Sequence, residues 1–303
     1  MSATDLESRA PTTTMNLRAT NLRDLLAHAT SVLAAARVPS PDVDAELLVA
    51  HVLGVSRGRV QALAVTGTQL EAEQRHQIVE LVERRAAREP LQHLTGRAAF
   101  RSLELAVGPG VFVPRPETEL VAQIAIDALL AVPGGVPSAV DLGTGSGAIA
   151  LALATEVPHA TVIAVENSPR AFIWARENVR AIGASNLRLV FADLADALPE
   201  LDGTLDVVVS NPPYIPLGAI PRDPEVRLHD PEHALYGGDD GLDVVRSVSA
   251  TAQRLVRTGG TLVLEHGETQ GADIRNLLTA DGWRAAATTR DLLGRDRATT
   301  ALR

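Results

Sequence analysis

The sequence predicts an α/β protein: a mostly parallel sheet with helices on both faces, preceded by a small helical bundle and a β-hairpin. Three observations carry this reading. From Pro116 onward, short apolar runs alternate with helical stretches, the pattern of a parallel sheet built from crossover units. One of those runs, Ala139 to Leu142, ends in the Gly-rich turn Gly143-Thr144-Gly145-Ser146-Gly147 and then opens a helix. The stretch from Asn21 to Arg88 has helical spacing and little strand signal.

The elements follow in order. Residues 1–20 are polar and Thr-rich with no apolar signal core, and read as a disordered tail in which Met15 offers an alternative start. Residues 21–92 read as a helical domain. Leu22, Leu25, Leu26, Ala29 and Leu33 recur at helical spacing. Pro39-Ser40-Pro41-Asp42 breaks the chain, with Ser40 or Asp42 as cap of the next helix, and Gln69 to Arg88 forms another amphipathic helix. Residues 93–114 read as a hairpin linker, with Phe100, Leu103, Leu105 and Val107 in two short strands and Gly108-Pro109-Gly110 as a turn signal. Residues 115–303 form the sheet domain. Its expected strands are Ala139 to Leu142, Thr161 to Glu166, Leu187 to Phe191, Leu205 to Ser210 and Gly260 to His266, then two more near Arg284 to Thr289 and Ala298 to Leu302. Its helices are Glu117 to Leu130, Ser146 to Glu156 and Ser168 to Ile182, the first with Pro116 at its opening position and acids in its first turn.

Composition narrows the function. A chain of 303 residues with 46% apolar content can fill a large core, enough for two domains. With no cysteine there are no disulfides and no thiolate metal sites, which agrees with a reducing, cytoplasmic compartment. No apolar stretch is long enough to span a bilayer. A formal charge of −9 argues against broad nucleic-acid affinity, which needs a surplus of Lys and Arg. His229 and His233 are four apart, but Pro231 between them argues against a helical metal pair, and no metal is expected.

Asn211-Pro212-Pro213-Tyr214 is the most informative motif. It follows the apolar run Leu205 to Ser210, and its two prolines end that strand and stiffen the turn. An Asn oxygen and a neighbouring backbone carbonyl can accept both hydrogens of a planar NH2 group, while the Tyr ring packs on its face. The Gly-rich turn lets the backbone approach a ligand closely. Glu166 closes the next strand, where an acid can hold both ribose hydroxyls, and Asp193 follows the strand after that, placed to accept from an adenine amino group. Gly145 to Ala150 also fits a dinucleotide fingerprint, so an NAD-dependent oxidoreductase reads these residues in the same way. The Asn-Pro-Pro-Tyr loop favours a methyl transfer, because hydride transfer has no evident need for it. The segment Ile215 to Gly241 is too long for a plain connection and reads as a lid.

Taken together these residues resemble the S-adenosylmethionine-dependent methyltransferases. Two further stretches, Glu89-Pro90-Leu91-Gln92-His93-Leu94-Thr95-Gly96 and Phe112-Val113-Pro114-Arg115-Pro116-Glu117-Thr118-Glu119, resemble the signatures of the PrmC/HemK family. So do Leu264-Glu265-His266-Gly267 and the stretch Arg290 to Arg297, and the likeness runs from about Leu22 to the C-terminus. The resemblance implies a seven-stranded, Rossmann-like class I methyltransferase sheet with a reversed last strand. It implies methylation of the side-chain amide of the glutamine in the Gly-Gly-Gln loop of class-1 peptide chain release factors, with S-adenosyl-L-methionine as cofactor and the helical domain recognising the protein substrate. In that reading Asn211 and the Pro212 carbonyl accept the substrate amide, Pro213 shapes the turn, and Tyr214 stacks. Phe112 lines the glutamine pocket. Gly143, Thr144, Gly145, Ser146 and Gly147, with Asn211, approach the methionyl part, Glu166 takes the ribose, and Asp193 with Leu194 takes the adenine. The family often has an aromatic residue at the position of Leu194 and Asp at that of Glu166; Leu194 offers the adenine less stacking. Two alternatives share parts of this pattern: the oxidoreductase, and an adenine-N6 nucleic-acid methyltransferase, which would want a basic, aromatic-rich recognition domain. A third is a non-catalytic factor binding translation proteins, against which the intact Asn211 and Gly-rich turn argue.

Overall fold

The computed structural model describes residues 21–303, so the tail and Met15 lie outside the described residues. The described chain divides into two compact units, with the break between Thr95 and Gly96.

The first unit is helical. Its helices are α1 (Leu22–Ala35), α2 (Pro41–Leu53), α3 (Arg57–Val65), α4 (Ala72–Ala86) and the short α5 (Leu91–Thr95). Asn21 caps α1 by accepting from the Asp24 backbone N–H. Ser40 is the N-cap residue of α2 with Pro41 at its first position, although its side chain makes no cap bond. The α4 helix begins at Ala72 rather than Gln69, because a Glu71–Gln74 capping box sets its start. Leu22, Leu25, Ala29 and Leu33 of α1 pack with Leu48, Val60, Ile78 and Val82 in one apolar core. A buried ion pair crosses it: Arg85 Nε donates to Asp44 Oδ2 at 2.7 Å, joining α4 to α2.

The second unit opens with the hairpin β1 (Arg97–Phe100) and β2 (Leu103–Ala106), antiparallel with Phe100 opposite Leu103. There follow α6 (Thr118–Leu130), β3 (Ser138–Leu142), α7 (Ala148–Glu156), β4 (Thr161–Glu166), α8 (Pro169–Ile182), β5 (Leu187–Phe191), β6 (Leu205–Ser210), α9 (Pro224–His229), α10 (Asp243–Leu255), β7 (Val256–Glu265), α11 (Gly271–Ala280), β8 (Arg284–Arg290) and β9 (Asp296–Leu302). The seven-stranded sheet has the order β5-β4-β3-β6-β7-β9-β8. Strands β5 to β7 are parallel, and β9 runs antiparallel between β7 and β8. Thus the last strand is the reversed one, in agreement with the expected class I methyltransferase sheet.

Side-chain alternation divides the sheet's two faces. Ala139, Val162, Ala164, Val207 and Val209 face a core shared with α6 and α7. Val140, Ile163, Val165 and Val208 face the opposite core, covered by α10 and α11. The α7 helix is buried from Ala148 to Ala154, which explains why its sequence is apolar all round. Pro116 lies in the turn before α6 rather than at its first position, and Glu117 is the N-cap residue. Glu119 does occupy the first turn, where its carboxylate also accepts from the Arg101 backbone N–H at 2.9 Å. The hairpin is tied to α8 by the buried Asn178. Its Oδ1 accepts from the Ala106 backbone N–H at 2.7 Å, and its Nδ2 donates to the Ala106 carbonyl at 3.0 Å and the Ser146 carbonyl at 2.9 Å.

Candidate active site

The sheet order reverses between β3 and β6, and a cavity of about 870 Å³ opens at the carboxyl ends of the strands there. In open α/β sheets this switch point is where ligands bind. Four strand ends contribute: the Gly-rich turn after β3, Glu166 at the end of β4, Asp193 and Leu194 after β5, and the Asn211–Tyr214 loop after β6. Phe112, ahead of α6, lines the same cavity. All the residues singled out from sequence line it except Gly147, which is buried at the start of α7 with φ +87°.

The turn after β3 is held open by backbone conformation and by two carboxylates. Gly143 and Gly145 have φ of +74° and +60°, a region that L side chains adopt only under strain. The Glu166 carboxylate accepts from the Gly145 N–H at 2.8 Å through Oε2 and from the Ser168 N–H at 2.7 Å through Oε1. The Asn167 backbone N–H also acts on this carboxylate, which has about four acceptor sites in all, so Glu166 can brace the turn and still accept from a ligand hydroxyl. Burial pushes its pKa up, opposed by those backbone bonds. Asp141, which sequence reasoning passed over, is fully buried at the end of β3. Its Oδ2 accepts from the Thr144 hydroxyl at 2.6 Å and the Ala150 N–H at 3.2 Å, while its buried Oδ1 has no partner. Asp193 is exposed; the Ala195 N–H and the Asn167 amide hold its carboxyl below the usual range. Asn167, another residue missed from sequence, also lines the cavity.

The loop after β6 is braced from three sides. Ser210 Oγ donates to the Leu142 carbonyl at 2.7 Å, fixing the strand end. Asn211 Nδ2 donates to Thr118 Oγ1 at 3.3 Å, which leaves Oδ1 as the acceptor available to the cavity. The Tyr214 carbonyl accepts from Gln270 Nε2 at 2.9 Å. Burial pushes the Tyr214 hydroxyl pKa up, so the ring stays neutral. The segment 215–241 folds back on this loop. Ile215 N–H donates to the Leu235 carbonyl and Gly237 N–H to the Ile215 carbonyl, both at 2.9 Å. A Cβ at Gly241 would stand 2.4 Å from the Tyr214 carbonyl oxygen, so the close approach requires glycine there. Within the segment, His229 ends the six-residue α9 and His233 lies in a separate 3-10 turn; among the described residues no His, Cys, Asp and Glu group is placed to share a metal ion.

Asp230 anchors the segment to the stretch before α6. Its buried carboxylate accepts from Arg115 Nη2 at 2.7 Å, and the Arg115 guanidinium lies 5.0 Å from the centroid of the Phe112 ring. Burial pushes the Asp230 pKa up against the pull of Arg115. Replacing Arg115 with Ala leaves that carboxylate buried without its partner, a change of ~3–5 kcal/mol for a closed pair. The expected result is loosening of the segment, read as faster backbone hydrogen exchange at 215–237 with little change at β3 and β4. Unchanged exchange there would show that the ion pair does not hold it.

Residues 24–96 match the family model described as PrmC N-terminal domain, and residues 104–219 match that described as Methyltransferase small domain. The chain is 52% identical over 278 residues, 91% of its length and 96% of the relative, to the release factor glutamine methyltransferase of Streptomyces coelicolor. The chain belongs to the release factor glutamine methyltransferase family. It is also 40% identical over 273 residues, 88% of its length and 90% of the relative, to the 4-amino-L-phenylalanine/4-methylamino-L-phenylalanine methyltransferase of Streptomyces pristinaespiralis. Among solved structures, the hMettl16 catalytic domain in complex with the MAT2A 3'UTR hairpin 6 is similar in fold alone, with a TM-score of 0.52 at 16% identity, over 65% of this chain and 75% of that one.

Two buried carboxyls lead us to expect that stability depends on pH. Burial pushes both Asp141 and Glu265 up to about 7. Between the ordinary carboxylate range and that value the folded chain binds protons that the unfolded chain has released, so stability falls as pH rises. Their contribution is complete below the unfolded pKa and lost as pH rises through the folded one. Glu265→Gln should therefore lose less stability than wild type between about pH 5 and about pH 8, by urea denaturation. Parallel curves for the two proteins would contradict this. No described helix is long and apolar enough to cross a membrane.

Proposed function

We propose that this chain transfers a methyl group from S-adenosyl-L-methionine to the side-chain amide nitrogen, N5, of the glutamine in the Gly-Gly-Gln loop of class-1 peptide chain release factors. The observation that carries the reading is the Asn211 amide, braced through Nδ2 with Oδ1 left to the cavity, beside a Gly-rich turn suited to the cofactor. Relatives named as release factor glutamine methyltransferases support a release-factor glutamine as the acceptor. A release-factor substrate puts the reaction in the cytoplasm, where translation runs.

The residues present fit the cofactor. The turn Gly143–Ser146 would present backbone to the methionyl group, Glu166 would accept from the ribose, and Asp193 with Leu194 would take the adenine; all of them line one cavity. When bound, S-adenosylmethionine supplies an electrophilic methyl on a sulfonium. A glutamine amide nitrogen is a weak nucleophile because its lone pair is delocalised into the carbonyl. Asn211 Oδ1 and the Pro212 carbonyl accept its two N–H groups, which orients the nitrogen and stabilises the positive charge that grows on it. Pro213 fixes the turn, Tyr214 stacks on the amide plane, and Phe112 with Arg115 forms a wall of the glutamine pocket. The helical unit supplies recognition of the release factor.

Replacing Glu166 with Ala should weaken cofactor binding by roughly 1–3 kcal/mol, since two hydroxyls lose a charged acceptor and the turn loses its brace. Calorimetry giving wild-type affinity would reduce Glu166 to a strand-end acid. The substrate itself is tested by tritium transfer from labelled S-adenosylmethionine, with purified release factor, 4-amino-L-phenylalanine and a nucleic-acid duplex as competing acceptors. A second reading, an aromatic amine as acceptor, is favoured only by the relative that methylates 4-amino-L-phenylalanine. Label in the release factor supports the first reading; label only in the free amine or the duplex replaces it.

A further inference from the structure

We infer that Glu265 is a positioning residue for the transfer: with Thr118 as relay, its carboxylate fixes which end of the Asn211 amide faces the substrate. This inference rests on the amide-methylation reading and deepens it. An Asn amide has nearly the same shape in its two flipped orientations, and only its neighbours choose between them. If the flip were free, Nδ2 would face the cavity for part of the time and present N–H groups to the N–H groups of the substrate.

The neighbours of Asn211 are one-sided. Asn211 Nδ2 donates to Thr118 Oγ1 at 3.3 Å. Thr118 is 4% exposed at the first turn of α6, beside the buried Glu265, and its hydroxyl and the Asn211 amide both favour the charged form of that carboxyl. A hydroxyl that donates its only hydrogen to a carboxylate can only accept from Asn211. The relay therefore runs in one direction, Nδ2–H to Oγ1–H to carboxylate. A flipped Asn211 would turn its carbonyl oxygen toward the lone pairs of both groups. Glu265 is 1% exposed at the end of β7, one strand from Asn211, and its Oε2 is buried without a hydrogen-bond partner. A buried carboxyl with an orphaned oxygen is a poor choice for stability alone, because an unpaired polar atom in the interior costs free energy. Its placement behind the proposed catalytic amide gives that cost a use.

Three ionisable groups act on Glu265 from the elements packed around it. Arg297 on β9 favours its charged form, while Glu117 ahead of α6 opposes it; Tyr214, after β6, feels the same carboxylate. The relay is enforced only when Glu265 is ionised, since a protonated carboxyl can donate to Thr118 and free the hydroxyl to turn toward Asn211. Turnover should rise with pH as Glu265 ionises, without a matching change in cofactor affinity.

The test uses the full chain, with the Gln and Asp variants of Glu265 and a Thr118→Val variant, each checked for cofactor binding. Glu265→Gln is expected to lower kcat by ~10- to 100-fold, the scale of a misdirected catalytic group, with cofactor Kd and substrate KM changed less than ~3-fold. Glu265→Asp, which restores the charge, should recover part of kcat, and Thr118→Val should mimic the Gln variant. The rise of kcat with pH should be lost in Glu265→Gln. A second arm needs no acceptor: in ¹H–¹⁵N spectra the side-chain amide of Asn211, identified by its loss in Asn211→Asp, should titrate with pH in wild type and not in Glu265→Gln. Wild-type kcat in Glu265→Gln, or an Asn211 amide signal that ignores the substitution, overturns the inference. A kcat loss matched by an equal loss of cofactor binding also overturns it, by showing a merely structural role. If wild type fails to methylate release factor while the amide signal behaves as described, the substrate reading falls and the positioning of Asn211 stands.

Discussion

Asn211→Ala is expected to lower turnover by ~10²-fold or more while leaving cofactor affinity largely intact. That is the scale of removing one oriented polar contact at a developing charge. The geometry explains the split. In the proposed site the turn after β3 and Glu166 would hold most of the cofactor, whereas Asn211 stands just past the end of β6 with its Nδ2 committed to Thr118. Its Oδ1 is therefore the atom lost to the reaction. Asn211→Asp is the sharper comparison. Its carboxylate still accepts hydrogen bonds, so substantial residual turnover supports the acceptor role, although a second acid beside the buried Glu265 raises the cost of ionising both. Single-turnover kinetics with release factor and S-adenosylmethionine reads the effect. Near-wild-type turnover in Asn211→Ala would remove this residue from the mechanism.

Removing the helical unit should have the second large effect. A lone Gly-Gly-Gln loop offers little surface, so productive binding needs contacts remote from the reacting nitrogen, and such contacts raise turnover as well as affinity. The fragment to compare starts at Gly96. Starting at Phe112 would discard the hairpin, whose Ala98 and Val107 share a core with Val111, Val113, Ala171 and Trp174, and whose Ala106 is bonded by Asn178. The fragment should keep its fold by circular dichroism, bind cofactor with near-full affinity, and methylate intact release factor at least ~10-fold more slowly. A folded fragment with the full-length rate would reduce the helical unit to packing.

Much of this arrangement is legible in the chain because local signals and tertiary demands coincide. The runs Leu205–Ser210 and Thr161–Glu166 are apolar on both sides because both faces of the sheet are covered, and the Gly-rich turn is readable because few other residues tolerate its positive φ. Cavity residues next to such signals, Glu166 and Asn211 among them, inherit their visibility. The helices α10 and α11 are absent from the sequence-level expectations although Val245, Val248, Ala252 and Leu255 of α10 are buried at helical spacing; weight on the preceding Pro- and Gly-rich stretch obscures them. The short α9 and the fold-back of 215–241 depend on single long-range bonds, such as Arg115 to Asp230, that leave no periodic trace. The roles of Thr118, Asp141, Asn178 and Glu265 are invisible for the same reason, although Thr118 and Glu265 lie in stretches that carry the family resemblance: each matters through a partner or a buried setting that only the folded chain supplies. A buried carboxylate and a solvated one are the same letter in a sequence.

The most direct test is to incubate purified class-1 release factor with this protein and S-adenosylmethionine, digest it, and locate any added methyl by tandem mass spectrometry. The account predicts one methyl group on the side-chain nitrogen of the glutamine in the Gly-Gly-Gln loop, present with wild type and strongly reduced with Asn211→Ala. An unmodified glutamine after incubation with folded, cofactor-binding protein, or a methyl group found elsewhere, would contradict it.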